Sequence, residues 1–227
     1  MNPLSRPFPN RLRSVTDYRR LAPTYDASCR RIGYMRDAAI KALDLQPGQT
    51  VLDIACGTGA TLLELSRWVG SRGKVIGIDH SPDMVAIARQ RIAESGAQNI
   101  ELLVEPIESA RISHEAEAIL FCFAHDVLQS RNALRNVFSL ARRSARVVTV
   151  GAKLADSWWA GPLNAWVHWR GRQYRTTELG LEHPWHPLRE YCPDIRVTKT
   201  FHLGTSYLAA GIFSGNITGH SGVQCIP

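Results

Sequence analysis

Short apolar runs alternate with stretches of helical periodicity along most of this chain. Residues 51–54, 75–78, 100–104, 117–123 and 145–150 are each brief and mostly apolar, and read as buried strands. Between them, Leu62, Leu65 and Val69 share one face of a helix, and Met84 opens another that ends near Gly96. Ser81 stands as the N-cap of that second helix, with Pro82 at its first position. Residues 132–140 suggest a further helix. Upstream, Ile32, Met35, Ala39, Ile40 and Leu43 are spaced for one helical face, and Pro47-Gly48 stops that helix before the first strand. Residues 195–201 and 206–210 read as a closing pair of strands around 202–205. The alternation predicts an α/β domain.

The stretch 50–65 is the most informative. Its strand runs into Gly57 and Gly59, and a helix follows from Thr61. Exposed backbone N–H groups and the positive end of that helix favour an anionic ligand, which the bare glycines let approach closely. Asp79 closes the next strand, 20 positions after Gly59, where an acid can accept hydrogen bonds from both ribose hydroxyls. A dinucleotide fingerprint needs a third glycine three positions after the second, and Leu62 stands there.

The pattern Asp53-x-Ala55-x-Gly57-x-Gly59 resembles the first motif of class I S-adenosylmethionine-dependent methyltransferases, with Ala55 in place of its first glycine. Ala22-Pro23-Thr24-Tyr25-Asp26 and Gly77-Ile78-Asp79-His80-Ser81-Pro82-Asp83-Met84 look like the branch holding ubiquinone, menaquinone and phospholipid N-methyltransferases. The resemblance runs from about Tyr25 to about Gly211. It implies a Rossmann-like sheet of seven mostly parallel strands with helices on both faces, its antiparallel last strand inserted between strands five and six. It implies S-adenosylmethionine as cofactor, held by Asp53, Ala55, Gly57, Gly59 and Asp79. By the same resemblance Tyr25 touches the methionine part, and His80 to Met84 lie beside adenine and ribose. The family often has an acid after strand three for the adenine; the aligned Pro106 leaves Glu105, Glu108 or the Ile107 backbone. His125 and Asp126 follow strand four, where acceptor-facing residues stand. His125 suits a general base that Asp126 orients, or Asp126 attracts a cationic amine; the plain alternative is that they cap the strand and open a helix.

The implied division is a basic arm with cofactor-covering helices over 1–45, a methyltransferase domain over 46–213 and a flexible tail over 214–227. Residues 1–14 are expected to be the mobile part of the arm. The formal net charge of +7 is uneven: residues 1–36 hold eight arginines and two aspartates. Such an arm can attract an anionic membrane surface, nucleic acid or an acidic partner, or simply be solvated. Cys29, Cys56, Cys122, Cys192 and Cys225 form no C-x-x-C pair, which points to free thiols in a reducing cytoplasm. Met1 to Asn10 carries three prolines and no apolar core of a signal peptide, and no run is long enough to span a bilayer.

The segment 156–190 is aromatic. Five of the six tryptophans, Trp158, Trp159, Trp166, Trp169 and Trp185, fall here among histidines and arginines. Rigid amphipathic rings suit a lid over a ligand or an interface; alternatively Trp159, Leu163 and Trp166 are the buried face of a helix. The histidines at 183 and 186 have no paired acid or cysteine, so no metal site is expected. Phe121-Cys122-Phe123-Ala124 replaces the Asn/Asp-Pro-Pro-aromatic motif of nucleic-acid-base methyltransferases, which argues against a nucleic-acid acceptor. The reading is methyl transfer to an O, N or C nucleophile of a small or amphiphilic acceptor. Its alternatives are a binding or scaffold protein of the same fold, or a nicotinamide-dependent oxidoreductase.

Overall fold

Residues 8–216 are described in the structure, a computed structural model. The apolar runs form β1 (Thr50–Ile54), β2 (Lys74–Asp79), β3 (Ile100–Val104), β4 (Ala116–Cys122), β5 (Ala141–Ala152), β6 (Arg196–Phe201) and β7 (Ser206–Ile212). One sheet orders them β3-β2-β1-β4-β5-β7-β6. β1 to β5 run parallel, while β7 is antiparallel to both of its neighbours, β5 and β6. The expected mostly parallel sheet, with its antiparallel strand between five and six, is therefore present. Strand order reverses between β1 and β4, and a crevice opens at their carboxyl ends, as the topology requires.

The helices are α1 (Arg11–Leu21), α2 (Tyr25–Cys29), α3 (Gly33–Ala42), α4 (Leu62–Val69), α5 (Pro82–Ser95), α6 (His125–Leu128), α7 (Arg131–Ser139) and α8 (Gly161–Gly171). Alternate strand residues face opposite sides. Leu52, Ile54, Ile119 and Phe121 pack with Leu134, Val137 and Phe138 of α7 on one face. Val51, Val75, Leu120 and Val148 pack with Met35 and Ile40 of α3 and Leu62 and Leu65 of α4 on the other. Covering both faces explains why these strands read as apolar runs instead of alternating ones.

Three local expectations change. The arm expected over 1–14 is helical from Arg11, because Asn10 caps α1 by accepting from the Arg13 N–H at 2.9 Å. Its residues 1–7, like residues 217–227 of the expected tail, lie outside the described residues. Strand β5 starts at Ala141, not 145; Arg142, Arg143 and Ser144 are exposed there, so no apolar pattern marks them. Ser81 precedes α5, but its hydroxyl makes no capping bond, and its N–H is taken by the Asp79 carboxylate instead. Among the described residues no helix is long and apolar enough to cross a membrane. Cys29, Cys56, Cys122 and Cys192 are free thiols, and Cys225 lies outside the described residues.

Candidate functional site

The crevice starts at the turn after β1. Ala55, Gly57 and Gly59 all have positive φ (57°, 55° and 72°), so the chain reverses tightly under the end of the sheet. Gly59 serves packing: a Cβ there would sit 2.9 Å from the Leu62 side chain and 3.0 Å from Ala88. Gly59→Val combines overpacking with a β-branched residue at positive φ, and should destabilise the fold by about 2–4 kcal/mol. Urea denaturation reads this directly; a loss below about 1 kcal/mol would show that the turn relaxes.

Asp79 and Asp53 flank the turn. The Asp79 carboxylate accepts the Gly57 N–H at 2.9 Å and the Ser81 N–H at 2.8 Å. Two of its roughly four acceptor positions remain for a ligand. Burial raises its pKa, opposed by these backbone bonds. Asp53 is buried inside β1; one oxygen accepts from the Thr61 hydroxyl and the other has no partner. Burial pushes its pKa up to about 7, against the pull of Thr61 and the Arg36 charge. Burial by itself would lower the pKa of Arg36, yet it lies above its ordinary value beside Cys122, Tyr25 and Cys29, and a guanidinium keeps its proton in a protein.

The N-terminal helices form a roof pinned to the turn. Asp26 accepts from the Thr58 hydroxyl at 2.6 Å and from Arg91, which also donates to the Thr58 carbonyl at 2.8 Å. That knot sets Tyr25 over the crevice. Tyr18 and Tyr174 meet Tyr25 edge-on, with centroids 5.9 and 6.0 Å away, and the Tyr18 hydroxyl donates to the Tyr174 carbonyl at 2.7 Å.

The opposite wall follows β4. Phe123 takes positive φ (57°) while its N–H stays bonded to the Val150 carbonyl at 2.8 Å, and α6 then begins at His125. Neither ring nitrogen of His125 makes a hydrogen bond of good geometry, although the Leu179 backbone lies close enough to the ring to bear on its charge. Burial lowers its pKa to about 4, despite Asp126 nearby. Asp126 does not hold the ring. Its carboxylate accepts the Thr176 N–H at 2.8 Å, the Thr176 hydroxyl at 2.6 Å and the Thr177 N–H at 3.4 Å. The Thr176 hydroxyl also accepts the Asn10 N–H at 2.8 Å, so Asp126, the segment after α8 and the start of α1 meet at one point.

A cleft with about 520 Å³ of space outside the atoms, part of it open solvent, lies between these walls. Of the residues expected from the sequence, Tyr25, Ala55, Gly57, Asp79, His80, Met84, His125 and Asp126 line it. Asp53 and Gly59 lie behind the lining, and Ile107 is buried in the core with its carbonyl occupied by Asn136 at 2.7 Å. Sequence reasoning missed Ser14 and Tyr18, which line the cleft, and Arg36, which bears on the buried Asp53; Tyr174, in the aromatic segment that suits a lid, lines it too. Arg36 had a signal: it interrupts the apolar stripe of α3, four residues after Ile32 and four before Ile40. The tryptophans do not line the cleft. Trp158, Trp159, Trp166 and Trp169 are exposed, so Trp159 and Trp166 are not the buried face of a helix, while Trp185 packs against Tyr207 in the core; Tyr174 of the same segment does line the cleft. No cluster of metal-binding side chains occurs among the described residues.

The model of the family described as "Methyltransferase domain" matches residues 45–158, half of the chain. A demethylmenaquinone methyltransferase of Shouchella clausii is 43% identical over 68 residues, 30% of this chain and 29% of that protein. A 2-phytyl-1,4-naphtoquinone methyltransferase of Nostoc sp. is 39% identical over 87 residues, 36% of this chain and 37% of that protein. The chain thus matches less than two-fifths of the length of these curated relatives. The crystal structure of a SAM-dependent methyltransferase from Aquifex aeolicus shares the fold, with a TM-score of 0.56 at 24% identity, covering 78% of this chain and 89% of that one.

Proposed function

The chain belongs to the family of methyltransferase domains, and on that premise we propose that it transfers the methyl group of S-adenosylmethionine to a nucleophilic atom of a small, lipid-like acceptor of the quinol class. The observation that carries this reading is a single cleft with two chemically different walls. The glycine turn and Asp79 form one; His125, whose ring nitrogens make no hydrogen bond of good geometry, stands on the other. Family membership sets aside the nicotinamide-dependent alternative. The acceptor class draws on the relatives, a demethylmenaquinone methyltransferase and a 2-phytyl-1,4-naphtoquinone methyltransferase.

The residues present fit the cofactor. Asp79 keeps acceptor positions for the two ribose hydroxyls. The unpartnered oxygen of Asp53 and the charged Arg36 offer opposite charges for the ammonium and carboxylate of the methionine part. Met84 suits an aromatic face, and the three tyrosines exclude water above it. When bound, S-adenosylmethionine supplies a methyl group already made electrophilic by its sulfonium, so alignment of the acceptor does most of the work. His125 takes the proton that leaves the acceptor hydroxyl. In this reading the segment before 46 covers the cofactor, and 46–213 is the transferase domain.

Incubating the protein with methyl-labelled S-adenosylmethionine and a panel of short-chain quinol, catechol, phenol and amine acceptors tests the proposal. Label is expected on the quinol, with the amine unmodified. Label on the amine alone would overturn the acceptor class. Tight S-adenosylhomocysteine binding with no labelled product from any acceptor would instead favour the scaffold reading.

A further inference from the structure

Helix α8 shows much of its aromatic surface to solvent. Its inward side mixes buried Val167 and half-buried Leu163 with polar groups: Asn164 exchanges bonds of 2.8 and 3.0 Å with the backbone of Ala155, and His168 bonds Glu178 at 2.6 Å. Its outward side carries Pro162, Ala165, Trp166 and Trp169, which are spaced three and four apart and therefore share one face. Trp166 and Trp169 are 54% and 69% exposed, and Trp158, just before the helix, is 96% exposed. A single exposed ring needs no explanation, but a contiguous aromatic face on a domain with its own core does.

The face continues onto the roof of the cleft. Bonds from Asn10 to Thr176 and from Tyr18 to Tyr174 join the chain beyond α8 to the start of α1, where Phe8 and Leu12 are also exposed. Its exposed charges are mostly positive. Arg172 is exposed and Arg170 half-exposed at the end of α8, and Arg11, Arg30 and Arg31 are exposed on the α1 side, against one exposed acid, Asp156 before Trp158; Arg175 is buried against Glu178 and adds nothing to the surface. Pairing two copies through this face would bring like charges together. An anionic surface is complementary to it. Indole rings, apolar with one N–H, suit the boundary between headgroups and acyl chains better than aliphatic side chains do. At 11 residues α8 is about 16 Å long and can only lie in that boundary, not cross it.

We infer that the outward face of α8, with the exposed start of α1, docks on an anionic lipid bilayer and sets the roof of the cleft against the membrane. The inference rests on the lipid-like acceptor proposed above, which would then enter from the bilayer without crossing water.

The test uses the full chain and vesicles of equal parts phosphatidylglycerol and phosphatidylcholine, with pure phosphatidylcholine as control. The protein should co-sediment with the anionic vesicles at low salt, with a blue shift of tryptophan emission, and bind the neutral ones far less. A Trp158→Ala, Trp166→Ala, Trp169→Ala variant should lose at least about tenfold in partitioning while keeping its S-adenosylhomocysteine affinity. Added salt should weaken the intact protein. Equal binding by the variant, or no binding by the intact protein, overturns the inference. So does a dimer in sedimentation velocity that the three substitutions dissociate and that ignores vesicles. Vesicle binding requires no turnover, so the two readings fail separately. Methylation of a water-soluble quinol without vesicle binding removes only the docking; vesicle binding with no methylated product supports docking and removes only the transferase reading.

Discussion

Asp79→Ala is expected to lower the affinity for S-adenosylhomocysteine at least tenfold in calorimetric titration. Hydrogen bonds to a charged group are worth about 1.5–3 kcal/mol each, and 1.4 kcal/mol is one decade of affinity. Two ribose bonds would alone exceed a decade several times over. Against that stands the cost of keeping this carboxylate buried, which raises its pKa and which the substitution removes. The variant also strips the Gly57 and Ser81 N–H groups of their acceptor, so the turn itself loosens. Asp79→Asn keeps one carbonyl oxygen and should fall between alanine and the parent. Thermal unfolding of both variants checks that the fold survives. Unchanged affinity in a folded Asp79→Ala protein would remove Asp79 from the cofactor site.

His125→Ala should lower kcat about 10²- to 10⁴-fold while leaving S-adenosylhomocysteine affinity intact, the range a positioned general base provides. The pH profile separates this role from mere packing. Burial holds the ring neutral down to about pH 4, so turnover in the parent should be flat near neutrality and decline only as pH falls toward 4. A limb near 6.5 would mean that the group observed is a solvated imidazole or another residue, and not the buried His125 ring. The same shift bears on stability. The folded pKa lies below the unfolded one, so the unfolded chain binds more protons between them. This contribution is complete above about 6.5 and is lost as pH falls through that range toward 4. Asp126→Asn should behave differently. It weakens the junction with Thr176 and Asn10, raising KM more than it lowers kcat, because its carboxylate bonds the segment after α8 and not the imidazole. Full activity in both variants would leave alignment as the only source of catalysis.

What could be read in the chain, and what could not, divides along the range of the interactions. Strand, turn and helix at 50–65 are set by neighbours in sequence: apolar residues for a strand covered on both faces, glycines for positive φ, and leucines at helical spacing. The position of Asp79 at the end of β2 follows from the same local pattern, since β1 and β2 pair in register from Thr50 with Lys74 to Ile54 with Ile78. Sheet order and the antiparallel β7 came from resemblance, which transfers a long-range arrangement that periodicity cannot supply. The first residues of β5 stayed hidden because Arg142 to Ser144 are exposed and polar, held by backbone bonds and the Arg142–Glu117 ion pair. Tertiary structure alone decided three things. It brought Tyr18, Tyr25 and Tyr174 together from segments up to 156 residues apart. It tied Asp126 to Thr176, where adjacency to His125 suggested a partnership in sequence. And it turned the tryptophans of α8 outward, because helical spacing says which residues share a face but not which face meets the core. On the inward side Val167 is buried, and Asn164 and His168 bond the Ala155 backbone and Glu178 there.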